Sequence, residues 1–145
     1  DIPAPAGYGR LSNASKNIDR WHLLDFQGPS FYRVHTGVAE IGSGGPKSTL
    51  PTGEGRWDIL PHHFITPETE GTVHYFQVVG HEWPPSSDSW KFLNNVIDED
   101  VWAIEHQQAA LDANPEVPMQ AIASDKPLQT MRKIVDDMLA AEMAH

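Results

Sequence analysis

Apolar and polar residues alternate most clearly over residues 57–79. Two β-rich runs, 57–66 and 72–79, flank Pro67-Glu68-Thr69-Glu70-Gly71, and such turn residues between strand-like runs predict a hairpin. Pro67 biases Thr66 toward an extended conformation, which keeps the first run a strand to its end. With 67–71 as the loop, Thr66 faces Thr72 and His63 faces Tyr75. One face then carries Ile59, His63, Ile65, Val73, Tyr75, Gln77 and Val79, and the other Leu60, His62, Phe64, His74, Phe76 and Val78. Neither face is polar in the manner of a solvated antiparallel sheet. Both are therefore predicted to be covered, or one to stand as a broad apolar patch.

Upstream, residues 18–26 and 31–41 are rich in aromatic and branched side chains and are split by Gly28-Pro29, which predicts two further strands. Residues 1–17 hold Pro, Gly, Ser and Asn with few apolar positions and read as an extended lead-in. Residues 42–55 form a glycine-rich loop, a candidate lid or oligomer contact. Its Gly44-Gly45-Pro46-Lys47-Ser48 lacks the Gly before Lys and the following helix that a phosphate-binding loop requires.

Downstream, Ser86-Ser87-Asp88 offers an N-cap for a helix over 89–113, with Trp90, Leu93, Ile97, Trp102, Ile104 and Leu111 as apolar contacts and Asn114-Pro115 as the stop. A competing pattern breaks this helix at Asp98 or Asp100, either of which can serve as a second cap. A last helix is predicted after Ser124, with Pro127 in its first turn and Leu128, Met131, Val135, Met138 and Leu139 as its buried stripe. The pattern as a whole is that of an α+β domain, a small antiparallel sheet packed on two C-terminal helices.

The chain has 145 residues, 39% of them hydrophobic, including 13 aromatics, which is enough for one domain with a real core. A net charge of -10 argues against nucleic acid or an anionic membrane surface as the main partner. No run approaches the roughly 20 apolar residues that span a bilayer, and the first residues lack the basic and apolar regions of a secretory signal. Cysteine is absent, which removes disulfides, thiolate ligands and a thiol nucleophile and fits the cytoplasm.

Candidate chemistry rests on the eight histidines and the acids. No two His are four apart, as a helical zinc-protease motif demands. His62 and His74 are diagonal neighbours in the hairpin register above, roughly 7 Å apart, with no third ligand placed by sequence. His63, among Ile59, Ile65 and Tyr75, reads either as a satisfied core residue or as the polar anchor of an apolar pocket. Arg33 and His35 share a strand face, where they either meet an anion or are simply paired. Asp98, Glu99, Asp100 and Glu105 form an acidic stretch that either faces solvent or does chemistry. No Ser occupies a strand-to-helix elbow of the hydrolase type.

The stretch His63-Phe64-Ile65-Thr66-Pro67-Glu68-Thr69-Glu70-Gly71-Thr72-Val73-His74-Tyr75-Phe76 resembles a segment of the Rieske-type non-haem iron oxygenases, in the branch of vanillate O-demethylase oxygenase components and related aromatic-acid monooxygenases. Glu99-Asp100, Glu105, Gln107-Gln108, Asp125, Arg132 and Glu142 fit that branch at matching spacing, as do Arg20-Trp21 and Gly37-Val38-Ala39. The resemblance covers most of the chain, as the C-terminal portion of a family member's catalytic domain, here residues 1–145.

It implies a helix-grip (START-like) fold, an antiparallel sheet of seven or so strands around a long helix. It implies a mononuclear Fe(II) held by two His and one carboxylate, with open positions for O2. The carboxylate falls on Asp100. Substrate contacts fall on His63, with Ile65 beside it, and on Trp90, the last with a one-residue spacing difference. No residue of this chain is assigned as an acid, base or nucleophile. The two iron-binding His and the Cys- and His-held [2Fe-2S] Rieske cluster belong to upstream sequence that this chain lacks. Family partners are an aromatic acid, O2, a reductase that supplies electrons and two further subunits of a homotrimer. A helix-grip module that binds an apolar or aromatic ligand without catalysis is the alternative.

Overall fold

The computed structural model describes residues 3, 6–82, 87–118 and 120–144. The chain divides into two compact units, Asp1–Trp83 with Lys133–His145, and Pro84–Arg132. The first unit is built on a four-stranded antiparallel meander, β1 (Ile18–Gln27), β2 (Phe31–Glu40), β3 (Arg56–Pro67) and β4 (Val73–Gly80), in the order β1-β2-β3-β4. With the helices below, this is an α+β architecture, and these four are the strands among the described residues.

The predicted hairpin forms, with its register displaced by two. Pro67 pairs with Val73, Ile65 with Tyr75 and His63 with Gln77, so the loop is 68–72. The loop's own bonds explain the displacement: the Glu68 and Thr69 amides donate to the Thr72 carbonyl at 3.0 and 3.2 Å, and Thr72 Oγ1 donates to Glu68 Oε2 at 3.0 Å. Because strand side chains alternate with a period of two, a displacement of two leaves every residue on its predicted face. Between β2 and β3 the ladder lapses opposite Leu60 and Pro61, where Pro61 has no amide to offer.

Residues 6–12, expected to be extended, form a short helix, α1 (Ala6–Ser12). Its weak propensity is overridden by tertiary contacts. Tyr8 meets Trp57 edge-to-face at 5.8 Å, and the Arg20 guanidinium lies 4.8 Å from the Tyr8 ring centroid. Beside α1, Ile18, Val38, Trp57 and Ile59 are buried on the face that also carries His63. On the opposite face Trp21 is buried across Gly37. A Cβ at Gly37 would sit 2.5 Å from Trp21 Cζ2 and 2.8 Å from the Trp57 carbonyl oxygen, and would strike Asp58 Cβ.

The 42–55 loop packs back on β1 and β2 through a 3-10 turn at Gly45–Lys47, with Gly45 and Ser48 buried. Its base is tied down on both sides. The Gly55 amide donates to the Ser12 carbonyl at 2.7 Å, the Glu40 amide donates to the Gly55 carbonyl at 2.8 Å, and the Ser15 amide and hydroxyl both donate to Glu40 Oε1 at 2.9 Å.

Residues 83–86, including Ser86 of the expected cap, lie outside the described residues. The helix α2 (Ser87–Ala113) runs unbroken through Asp98-Glu99-Asp100, so neither acid acts as a second cap. Asn114 closes it, its side-chain amide donating to the Ala110 carbonyl at 2.8 Å ahead of Pro115. The last helix, α3 (Lys126–Met143), begins from a 3-10 turn in which the Asp125 carboxylate, rather than Ser124, accepts the Ile122 amide at 2.9 Å. Its apolar stripe is not core: no residue of α3 is buried, and Leu128, Met138 and Leu139 are exposed. Among the described residues no helix is long and apolar enough to cross a membrane.

Candidate substrate-binding site

His63 is the most constrained of the residues singled out by sequence. It lies on β3, an inner strand, and is 8% exposed. Its ring is stacked on that of its cross-strand partner Tyr32, with centroids 4.3 Å apart and planes 3° from parallel. Its Nδ1 lies 2.6 Å from the Tyr75 hydroxyl. Tyr75 sits opposite Ile65, not His63, and reaches the imidazole as a diagonal neighbour, a span that aromatic side chains cover. Ile65 is half-buried on the same face. These residues form a polar-tipped aromatic cluster.

Further along that face, His22 Nε2 lies 2.8 Å from Arg20 Nη2 and 3.3 Å from Thr36 Oγ1. Burial lowers the His22 pKa, and the neighbouring Arg20 charge lowers it further. A neutral imidazole nitrogen is what a guanidinium N–H needs as acceptor.

The other two expected site residues stand on α2, in the second unit. Trp90 is half-buried near the start of the helix and Asp100 is exposed at its middle. Ten helical positions at about 100° each leave these two side chains roughly 80° apart around the axis. Among the described residues, no three of His, Asp and Glu converge as ligands for a metal ion. The described residues therefore do not make an iron site by themselves, and Asp100 is placed by them as a single ligand of a set. The His62–His74 pair is dissolved by the register. His62 faces Val78 and His74 faces Thr66, and His74 Nε2 instead lies 3.7 Å from Glu68 Oε1.

The opposite face holds a cluster that was not legible in the sequence. Asp58, 8% exposed, receives His35 Nε2 at 2.8 Å and Arg56 Nη2 at 2.9 Å on the same oxygen. Trp21 meets the His35 ring edge-on at 5.7 Å. Arg33 pairs with Asp25 at 3.0 Å. Arg33 and His35 do line one depression of about 360 Å³ with Leu23, Leu24, Asp25 and Leu60. Each is already matched by a carboxylate of this chain, so the simple reading of Arg33 and His35 as paired residues holds. The one available signal was an acid, Asp58, set between Trp57 and Ile59 in a strand.

The chain is 28% identical over 132 residues to the vanillate O-demethylase oxygenase subunit of Pseudomonas sp. (strain ATCC 19151), a match that covers 88% of this chain and 39% of that protein. It is 33% identical over 146 residues to a putative toluene-4-sulfonate monooxygenase system iron-sulfur subunit of Comamonas testosteroni, covering 91% of this chain and 41% of that protein. The chain thus spans about two fifths of the length of the curated relatives it matches. No solved structure matches it significantly. The family model for the vanillate O-demethylase oxygenase C-terminal domain matches residues 1–141, nearly the whole chain, and the chain belongs to that family.

Proposed function

We propose that these 145 residues are the C-terminal portion of the catalytic domain of a Rieske-type oxygenase, of helix-grip architecture, that hydroxylates or O-demethylates an aromatic acid. The observation that carries this is the family match over residues 1–141. In the complete protein Asp100 is one of three ligands to a mononuclear Fe(II), the two His ligands coming from outside this chain. When bound, that iron supplies the activation of O2, with electrons relayed from a reductase through a [2Fe-2S] Rieske cluster held elsewhere in the protein. This chain's own residues bind and orient the substrate: His63 by a hydrogen bond, Ile65 and Trp90 by apolar contact. The working form is a cytoplasmic homotrimer.

The exposed aromatic face supports reading the chain as part of a larger subunit. Phe31, Phe64 and Phe76 lie in one row across β2, β3 and β4, with the Phe31 and Phe64 rings 5.0 Å apart. Phe76 is 59% exposed and Val78 60%. The remainder of the oxygenase subunit, which in the matched relatives is more than half of the protein, covers this row.

The test is His63→Ala in the full natural protein, measured by vanillate binding and by iron content. Binding is expected to weaken by roughly tenfold or more, the loss of one buried hydrogen bond to a charged group, while iron stays near normal. Loss of iron would make His63 a ligand. Unchanged binding would remove it from the site.

A further inference from the structure

We propose that His22 works a pH-sensitive latch on α1. With a neutral ring, its Nε2 accepts a hydrogen bond from Arg20 and keeps that guanidinium against Tyr8. With a protonated ring, Nε2 becomes a donor, bonds to Thr36 instead, and Arg20 lets go of the helix.

The closed state follows from the partners. His22 Nε2 lies 2.8 Å from Arg20 Nη2. A guanidinium only donates, so Nε2 is the acceptor and the single proton of the neutral ring sits on Nδ1. The same Nη2 lies 3.3 Å from the Tyr8 hydroxyl, so its two protons serve His22 and Tyr8. The guanidinium carbon also rests 4.8 Å from the Tyr8 ring centroid. Among the described residues Arg20 has no carboxylate partner, so these contacts are what place it.

The second partner of Nε2 is already in position. Thr36 Oγ1 stands 3.3 Å from it and donates its one proton to the Trp21 carbonyl at 3.3 Å, which leaves its lone pairs open to an N–H. Protonation of the ring therefore changes both contacts together. The imidazolium repels the guanidinium beside it and gains an acceptor in Thr36. Arg20 is exposed, so the displaced side chain moves into water. Burial, and then the Arg20 charge, lower the His22 pKa, which sets the exchange below about pH 6.5.

Other ionisable groups stand off. On this side of the sheet α1 brings Tyr8 and Arg10, β1 brings Arg20, β2 brings Tyr32 and Glu40, and β3 brings His63. Tyr32, Glu40 and His63 are each four strand positions from the His22–Thr36–Ile59 row, roughly 13 Å away. Asp19, Asp25, Arg33, His35, Arg56, Asp58 and His62 fall on the opposite face by alternation. What Arg20 holds has little stability of its own, since α1 has only seven residues. Its Tyr8 ring meets Trp57, and its Ser12 carbonyl accepts the Gly55 amide, so loosening α1 reaches the base of the 42–55 loop.

The experiment is hydrogen–deuterium exchange on the full natural protein, read by mass spectrometry at about pH 7.5 and about pH 5.5, either side of the ordinary His pKa. Exchange times are scaled for the intrinsic effect of pH on amides. At the lower pH, the peptide covering residues 6–12 is expected to exchange roughly three- to tenfold faster in wild type, the scale of one exposed charge-assisted hydrogen bond. The β3–β4 hairpin should keep its protection. His22→Gln, whose side-chain carbonyl accepts from Arg20 but does not titrate, should protect residues 6–12 at both pH values. Arg20→Gln should leave them unprotected at both. Thr36→Val removes the acceptor that awaits the charged ring and should move the midpoint of loosening to lower pH.

Wild-type protection of residues 6–12 that is equal at both pH values, or a His22→Gln protein that loosens like wild type, would overturn the proposal. So would an equal loss of protection across the hairpin, which is general acid loosening. If His22→Gln melts well below wild type, Thr36→Val carries the test alone, and a midpoint left at the wild-type pH would overturn the exchange of partners.

Discussion

At the start of β3, Trp57 and Ile59 lie buried beside α1, with Tyr8 against the indole and the loop base fastened through Ser12, Glu40 and Gly55. At the far end of the same strand and in its partner β4, Phe64, Phe76 and Val78 are just as apolar and stand exposed. The difference does not come from hydrophobicity, which the two ends share. At the first end, the chain supplies a helix and a folded loop of its own. The second lies on the opposite face of the sheet and stands open, while His63 belongs to the first face, stacked on Tyr32 with Nδ1 against the Tyr75 hydroxyl.

Replacing the closed end should have the largest effect. Trp57→Ala in the full natural protein is expected to cost about 3–5 kcal/mol in chemical denaturation, as a large buried aromatic removed from a packed site. Phe76→Ala sharpens the comparison. If the remainder of the subunit covers the open end, its cost rises to about 2 kcal/mol or more, whereas a residue that stays at a solvated surface changes stability by less than about 0.5 kcal/mol. The smaller figure would sink the idea that this row of rings is covered.

Gly37→Ala comes next. The added Cβ meets Trp21 and Asp58 side chains and the Trp57 backbone together, so no single flexible group can give way. An overpacking cost of about 1–3 kcal/mol is expected, with Trp21 displaced from beside His35 and a change in near-ultraviolet circular dichroism. An unchanged denaturation midpoint would mean that the strand crossing is looser than the structure has it.

Which of these features could be read from sequence follows a physical rule. Strand positions and faces were legible in residues 18–41 and 57–79 because alternation is local and survives a displacement of two. The register was not, because the bonds among Glu68, Thr69 and Thr72 that set it are side-chain and turn contacts with no periodic signature. Helix α1 was missed because Ala6–Ser12 has little helical preference of its own and is held by Tyr8 on Trp57. The apolar stripe of α3 was visible, but a stripe says that a face wants cover and not that this chain provides it. His63 was legible as a histidine set among Ile59, Ile65 and Tyr75, and it is buried there. Tyr75, expected directly opposite it, is a diagonal neighbour whose hydroxyl reaches Nδ1. The Asp58 cluster joins residues from two strands across a sheet, and its one local sign is an acid between Trp57 and Ile59.

Acid dependence should give the smallest effect, at the closed end. Hydrogen bonds from the Ser15 amide and hydroxyl, and then the Lys16 charge, hold the Glu40 pKa below its usual value. A carboxylate with a depressed folded-state pKa contributes stability above the unfolded pKa and loses it as pH falls through the folded one. His22, depressed by burial and by Arg20, likewise stabilises the neutral form, and its contribution declines first, as pH falls below about 6.5. Glu40→Gln should flatten the slope of stability against pH below about pH 4.5 and leave the slope nearer neutrality intact. A slope that is unchanged in the acid range would mean that Glu40 does not anchor the loop base.

The central claim is that this chain supplies the carboxylate of a mononuclear iron site, and Asp100→Asn in the full natural protein tests it most directly. The measurement is mononuclear iron content by metal analysis, taken together with the visible spectrum of the Rieske cluster and with turnover of vanillate. The account predicts depleted mononuclear iron and no turnover, with the cluster spectrum and the fold retained. Near-normal iron and turnover in that variant would contradict it and take Asp100 out of the site.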